Sequence, residues 1–322
     1  MRRFSVIVPL LGPRDRFEDT LASILRHRPV EANVIVVHDG SYGDPYHLAD
    51  EVQFVEADED SGLIGFLNVG LCYAAGEFTV LTRPGIELDE NWEQGIINAM
   101  NDESVAAVTP VITGSGTNRI VSAGVSADAT GTRILVGNGK RNSRRSLKTL
   151  RSDGPSLWLG AYRTSVLKSL APLDESLHET FVDLDIALSM RTLGFTTVVD
   201  SEFTGSVERS QWLVAESRSA HGESAQRASH RYSKIVRSAT ASSMVADLIR
   251  APLASWRLKH AVERLAAAKW TDHDLKFANR LKRLFAEKPW VKKESVEHFS
   301  YCLLYTSPSP RDQRGSRMPS SA

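Results

Sequence analysis

The chain has 322 residues, of which 42% are hydrophobic and 24% charged, and its 39 basic side chains balance its 39 acidic ones. This composition is typical of a soluble globular protein with one large domain and an appendage, and the absence of net charge gives no reason to expect a nucleic-acid partner. No apolar run reaches the roughly 18 residues that a membrane span needs, and no secretory segment follows the first methionine, so we expect a cytoplasmic protein.

Strand-like and helix-like segments alternate along the first 113 residues. Apolar, β-branched runs such as residues 4–10 (FSVIVPL) are typical of strands buried on both faces, and segments with one apolar face, such as residues 16–28, predict helices. This alternation predicts an α/β fold with a mainly parallel sheet flanked by helices. The other predicted strands are residues 33–41, 51–57, 77–82 and 105–113, and the other predicted helices are residues 62–77 and 91–101.

A ligand of such a sheet is expected at the carboxyl ends of the strands. Three of these ends lie at residues 9–11, 38–41 and 82–85. A dinucleotide-binding oxidoreductase would need a G-x-G-x-x-G turn after the first strand, but the sequence there reads PLLGPRD, so we set that alternative aside.

The second half of the chain changes character. Residues 113–153 are rich in glycine, serine and basic side chains, which predicts short strands and a mobile loop, whereas residues 180–195 predict a strong amphipathic helix. Beyond about Val207 the sequence becomes helical and highly charged, and two amphipathic segments carry basic faces. We interpret these faces as the solvated side of accessory helices or, alternatively, as a surface for a partner or for the inner face of a membrane.

The last 21 residues, 302–322, depart sharply from the composition of the rest. The sequence CLLYTSPSPRDQRGSRMPSSA resembles the translation of a sequencing-library adapter and its primer site, so we expect it to be disordered and no part of the fold. We expect the natural chain to have been cut near Tyr301.

Four segments occur in the order and spacing of one known family. They are SVIVPL, VIVVHDGS, GLIGFLNVGLCYAAGEF and, most similar of all, GAYRTSVLKSLAPLDESLHETFVDLDIALSMRTLGF. Together they resemble the family 2 glycosyltransferases, inverting enzymes of the GT-A fold that use nucleotide sugars. The resemblance implies a GT-A domain over residues 1–208 and a helical accessory region over 209–301. It also implies transfer of a sugar to a glycan or lipid-linked acceptor, as in polysaccharide or cell-envelope biosynthesis.

On the donor side, the resemblance assigns roles to Pro9, Asp39 and Asn68. Asp39 occupies the second position of the family's paired-acid turn, where it would accept a hydrogen bond from a ring N–H of the base. Its other interpretation is that of a turn-forming aspartate. His38 stands at the first acid position.

On the acceptor side, the family's acidic pair falls on Val182 and Asp183, so the resemblance makes Asp183 the general base. Asp185 is the usual companion, and because residues i and i+2 do not share a helix face, only one of the two is expected to point into the site. Both carboxylates would also suit the first turn of a helix without any catalytic role. Trp158 would either stack on a sugar ring or fill the core.

The turn after the fourth strand departs from the family. In the family, this turn contains a D-x-D motif that carries Mg²⁺ or Mn²⁺. Here the two acid positions fall on Arg83 and Gly85, so we predict no metal site at this turn. Arg83 would instead contact the diphosphate and replace the metal, assisted by a basic loop. This loop contains Lys140, Arg141, Arg144 and Arg145.

The departures leave two interpretations open. One is a metal-independent glycosyltransferase, and the other is a catalytically inactive homologue that binds a nucleotide or glycan or serves as an assembly subunit. Positions that depart from the family are Leu11, His38, Arg83, Gly85 and Val182, together with Val207 and Glu208 where a late histidine is usual.

Overall fold

The computed structural model describes residues 3–127, 133–208, 231–232 and 272–291. The predicted tail and most of the predicted accessory region lie outside these residues. The described strands are β1 (Phe4–Pro9), β2 (Ala32–His38), β3 (Val52–Glu56), β4 (Phe78–Thr82), β5 (Ile86–Leu88), β6 (Val105–Gly114), β7 (Ile120–Ser122), β8 (Val125–Ala127), β9 (Arg133–Leu135), β10 (Leu159–Arg163) and β11 (Thr196–Val207). The described α-helices are α1 (Arg14–His27), α2 (Gly62–Tyr73), α3 (Trp92–Met100), α4 (Arg144–Leu147), α5 (Thr164–Leu170), α6 (Glu179–Thr192) and α7 (Asp272–Glu287).

A nine-stranded sheet forms the centre of the described part of the chain. Its order is β3-β2-β1-β4-β10-β6-β11-β5, and β7 pairs with β6. Strands β1 to β4 pair in parallel, as do β6 and β11, while β10 runs antiparallel between β4 and β6. Strands β8 and β9 form a separate two-stranded hairpin. The predicted α/β fold with a mainly parallel sheet flanked by helices is therefore confirmed.

Both faces of the sheet are covered by apolar side chains. In β1, Phe4, Val6 and Val8 pack with α1 and α3 on one face, whereas Ile7 packs with α2, α5 and α6 on the other. This arrangement explains the unbroken apolar run of β1, because a strand covered on both faces has no polar side.

Helix α2 ends four residues earlier than the sequence predicts. The chain turns after Tyr73 because Gly76 passes directly against β1, where an added Cβ would lie 2.6 Å from the carbonyl carbon of Phe4. The backbone N–H groups of Ala75 and Gly76 both donate to Oγ of Ser5. This close approach requires glycine at position 76.

The described helix α7 packs on the α/β core. Leu281 and Leu284 are buried in the same apolar cluster as α5 and α6, and Trp290 makes an edge-to-face contact with Phe195. Arg280 donates to the carbonyl oxygen of Ser169 in the last turn of α5 and to that of Ala171 just after it. The predicted boundary at residue 208, between the α/β domain and the helical accessory region, stays a prediction.

Among the described residues, no helix is long and apolar enough to cross a bilayer.

Candidate functional site

The carboxyl ends of β1, β2 and β4 are neighbours at one edge of the sheet. Pro9 is buried within β1, and the N–H of Leu10 donates to the carbonyl oxygen of Val37. Asp39, just after β2, is exposed, and its hydrogen bonding with Ser41 lowers its pKa below the ordinary value. The predicted donor-side turns are thus brought together, and Asp39 offers an ionised carboxylate there.

His38 stabilises the turn in which the family has its first acid. The side chain is 5% exposed, and its Nδ1 accepts a hydrogen bond from the N–H of Gly40 at 3.0 Å. Gly40 has a φ of +84°, a conformation that favours glycine. The histidine therefore has a local structural role that a carboxylate would also be able to fill.

Arg83 follows β4 directly and is held from three directions. Its backbone N–H donates to the carbonyl oxygen of Trp158 at 3.0 Å, and its guanidinium carbon lies 5.2 Å from the centre of the Trp158 ring. Its Nη2 donates to Oε1 and Oε2 of Glu179, at 3.1 and 3.3 Å. The side chains of Arg83 and Glu179 are 22% and 32% exposed, so the pair lies at the protein surface beside the carboxyl end of β4.

The residues of the Arg83 turn do not fit a metal. Gly85 has a φ of +94°, and its N–H donates to the hydroxyl of Thr20. Asp89, which follows β5, accepts from the hydroxyl of Thr204 at 2.5 Å. Within the described parts of the chain, no group of three or more histidine, cysteine, aspartate or glutamate side chains is placed to hold a metal ion.

Asp183 forms a buried ion pair. Its two carboxylate oxygens accept from Nε and Nη2 of Arg133 at 2.8 and 2.7 Å, and its side chain is 1% exposed. The backbone N–H groups of Leu157 and Leu184 donate to the same carboxylate. In this structure the predicted general base has its oxygens occupied within the fold, and its catalytic role stays a prediction.

Asp185 lies in a second buried cluster. Its Oδ1 accepts from Arg231 at 3.0 Å and from the hydroxyl of Tyr232 at 2.7 Å. The same arginine donates to Asp174 and Asp274, so it connects α6 to α7. Asp183 and Asp185 thus bind different arginines. Both side chains are buried, and the expectation that one of them points into the site stays a prediction.

Asn68 is fully buried in α2. Its Oδ1 accepts from the N–H of Leu173 at 2.6 Å, and its Nδ2 donates to the carbonyl oxygen of Leu173 and to Glu175. The amide fixes the loop before α6, so its predicted contact with a donor stays untested. Trp158 is 4% exposed, and its ring faces Arg83.

Sequence reasoning missed Arg133 and Glu179. Arg133 is one of several basic residues in a glycine- and serine-rich segment, and Glu179 lies three residues before the family's acidic pair, where the resemblance assigns no role. A local signal exists for Glu179 alone, because it is the acidic residue that opens α6.

Neither a scan against protein-family models nor a search of curated proteins gives a match. Two solved structures are similar in fold. One is GalNAc-T7 with UDP, GalNAc and Mn²⁺, with 15% identity, a TM-score of 0.49 and coverage of 64% of this chain and 43% of that chain. The other is the mannosyltransferase PcManGT from Pyrobaculum calidifontis with GDP-Man and Mn²⁺, with 18% identity, a TM-score of 0.48 and coverage of 91% and 88%. The chain therefore spans less than half the length of the first.

Proposed function

We propose that this chain binds a nucleoside-diphosphate sugar at the carboxyl ends of β1, β2 and β4 and transfers the sugar, with inversion, to a glycan or lipid-linked acceptor. The proposal rests on the sequence resemblance to family 2 glycosyltransferases of the GT-A fold. The observation that carries it is the position of Arg83, a partly exposed cation at the strand edge where an α/β sheet binds its ligand.

Arg83 would neutralise the negative charge that develops on the departing diphosphate. A guanidinium that is already oriented can stabilise such charge without reorganising during the reaction. The ring of Trp158 orients Arg83, and the carboxylate of Glu179 neutralises it before a donor arrives. A metal has no part in this proposal because Arg83, Pro84 and Gly85 supply no metal-binding side chain.

Asp39 would orient the base of the donor. Its carboxylate is exposed, and hydrogen bonding with Ser41 lowers its pKa below the ordinary value, so it is able to accept a ring N–H. Pro9 and Asn68 would act indirectly, because both are buried and shape the elements behind the site. Trp158 would also act indirectly, through the contact of its ring with the guanidinium of Arg83.

A second candidate function is binding without transfer. The pair of Arg133 with Asp183 favours it, because a base must reach the acceptor hydroxyl and this carboxylate is 1% exposed. In that case the protein would be a nucleotide- or glycan-binding subunit that acts beside an active partner.

Calorimetric titration of the chain with UDP-, GDP- and dTDP-sugars, in Mn²⁺ and in EDTA, tests the proposal. We expect one donor to bind equally well in both solutions. Release of nucleoside diphosphate upon addition of oligosaccharide or lipid-linked acceptors then separates transfer from binding alone. A folded protein that binds none of these donors would contradict both transfer and nucleotide binding.

We also propose that the protein acts at a membrane surface, with which helix α7 would associate peripherally. Lys276, Lys282 and Arg283 are exposed on it, together with Leu275 and Phe285. Exposed basic and apolar side chains on the same helix suit an anionic bilayer surface. Co-sedimentation with phosphatidylserine vesicles, lost when the three basic residues are changed to glutamine, is the expected result. Equal sedimentation of that variant would contradict it.

A further inference from the structure

Helix α6 carries three carboxylates near its beginning, and one of them is open to solvent. Asp183 and Asp185 are 1% and 7% exposed at the side chain, and each is bound to a buried arginine. Glu179, the first residue of the helix, is 32% exposed and lies at the end of β4 through its contact with Arg83. Of these three carboxylates, Glu179 is therefore the one that an acceptor hydroxyl is able to reach.

The pair of Glu179 with Arg83 is one that a diphosphate is able to displace. Both contacts of Glu179 use a single nitrogen, Nη2 of Arg83, and the two side chains are partly exposed. Ion pairs in such positions are weak. A diphosphate carries more charge than one carboxylate and is able to bind the guanidinium through two nitrogens. Glu179 thus occupies the cation that the donor needs.

We propose that Glu179 is the proton acceptor of the transfer reaction and that Arg83 holds it until the donor binds. This inference rests on the proposed function. Arg83 passes from the carboxylate to the diphosphate, and Glu179 is released beside the bound sugar.

The transfer step then balances in one displacement. The acceptor hydroxyl gives its proton to the carboxylate of Glu179 as its oxygen forms a bond to the anomeric carbon. The bond from that carbon to the diphosphate oxygen breaks, and its electron pair leaves with the nucleoside diphosphate. Arg83 neutralises that leaving group, while Asp183 stays paired with Arg133 throughout.

Titration of UDP and GDP in EDTA into wild type, Glu179→Gln and Glu87→Gln tests the exchange. Glu87 is an exposed carboxylate of β5 and serves as the matched control. Removal of the competing carboxylate should tighten nucleotide binding by Glu179→Gln about fivefold, since exposed ion pairs compete weakly, and should leave Glu87→Gln unchanged. Equal affinity of the two variants would overturn the exchange.

Turnover with the donor that binds tests the chemical role. We expect Glu179→Gln to lose about 100-fold or more in kcat without a rise in the donor KM, as is usual for a lost general base. Glu179→Asp, which keeps the charge, should recover part of the rate. Full activity of Glu179→Gln, or nucleotide binding by wild type without any transfer, would overturn the role. A wild type that binds no nucleotide would refute the proposed function and this inference with it.

Discussion

Arg133 and Asp183 form a buried pair with two parallel hydrogen bonds, at 2.8 and 2.7 Å, between the β8–β9 hairpin and helix α6. The carboxylate also accepts two backbone N–H groups, so all of its partners lie within the fold. This pair fixes the hairpin over the beginning of α6, on which Glu179 lies. These contacts support a structural role for the pair, and they agree with the proposal that the more exposed Glu179 accepts the proton.

The substitution Asp183→Asn should destabilise the protein strongly. It breaks the buried ion pair with Arg133 and its two parallel hydrogen bonds, and breaking a buried pair costs about 3–5 kcal/mol in the free energy of unfolding. Arg191→Gln is the control, because Arg191 binds Asp153 with a side chain that is 55% exposed, and such pairs contribute only about 0–1 kcal/mol. Urea denaturation measures both. An Asp183→Asn variant of unchanged stability that has lost transfer would instead make Asp183 the base.

The substitution Asp185→Asn should alter the pH dependence of stability. Burial raises the pKa of Asp185 above its ordinary value of 3.8, although Arg231 and Tyr232 act in the opposite direction. A carboxyl group whose pKa is raised on folding stabilises the protein fully below its unfolded pKa, and this contribution is lost as the pH rises through the folded pKa. We therefore expect Asp185→Asn to gain stability relative to wild type between acidic and neutral pH.

Asp174→Asn provides a control of opposite sign. Burial tends to raise the pKa of Asp174, but hydrogen bonds from Ser176 and Arg231 outweigh it and lower the pKa below 3.8. Such a group stabilises the protein above its unfolded pKa, and the contribution is lost as the pH falls. Asp174→Asn should therefore be less stable than wild type at neutral pH and approach it in acid. Urea midpoints that shift in the same direction for both variants would contradict this account of the cluster.

The substitution Asn68→Ala should act on stability rather than on donor binding. It leaves the buried N–H and carbonyl oxygen of Leu173 without the amide that now binds them, which costs about 1–3 kcal/mol. Thermal unfolding and nucleotide titration of the same sample separate the two effects. A stable variant with weakened donor binding would instead support the donor-binding role that the sequence predicts.

Restoring an acid at position 85 should not create a metal site. Gly85 has a φ of +94°, so Gly85→Asp imposes a backbone conformation that costs about 1–2 kcal/mol for residues with a side chain. Gly43→Asp is the control, because an added Cβ there has open space and φ is not positive. We expect the first variant alone to be destabilised, in Mn²⁺ as in EDTA. Stabilisation of Gly85→Asp by Mn²⁺ would contradict the proposal that this turn binds the donor without a metal.

The sequence predicts the strands of the α/β core because each buried strand is a continuous apolar run, as in β1 and β2. The sequence does not predict that β10 runs antiparallel between β4 and β6, because pairing between strands that are far apart in the chain leaves no local pattern. The same limit applies to the site. Arg133 and Asp183 are 50 residues apart in the chain, and Arg83 and Glu179 are 96 apart. The motifs locate Asp183 on a helix, but its burial depends on the distant arginine.

Calorimetric titration of the preferred nucleoside diphosphate into wild type and Arg83→Gln, in EDTA, tests the central claim most directly. Arg83→Gln removes the cation and keeps a polar, uncharged side chain. Wild type should bind without metal, and the variant should bind at least about tenfold more weakly, which corresponds to the loss of one charged hydrogen-bonding group. Equal affinity of the two proteins, or binding by wild type only when Mn²⁺ is present, would contradict the claim that Arg83 takes the place of the metal.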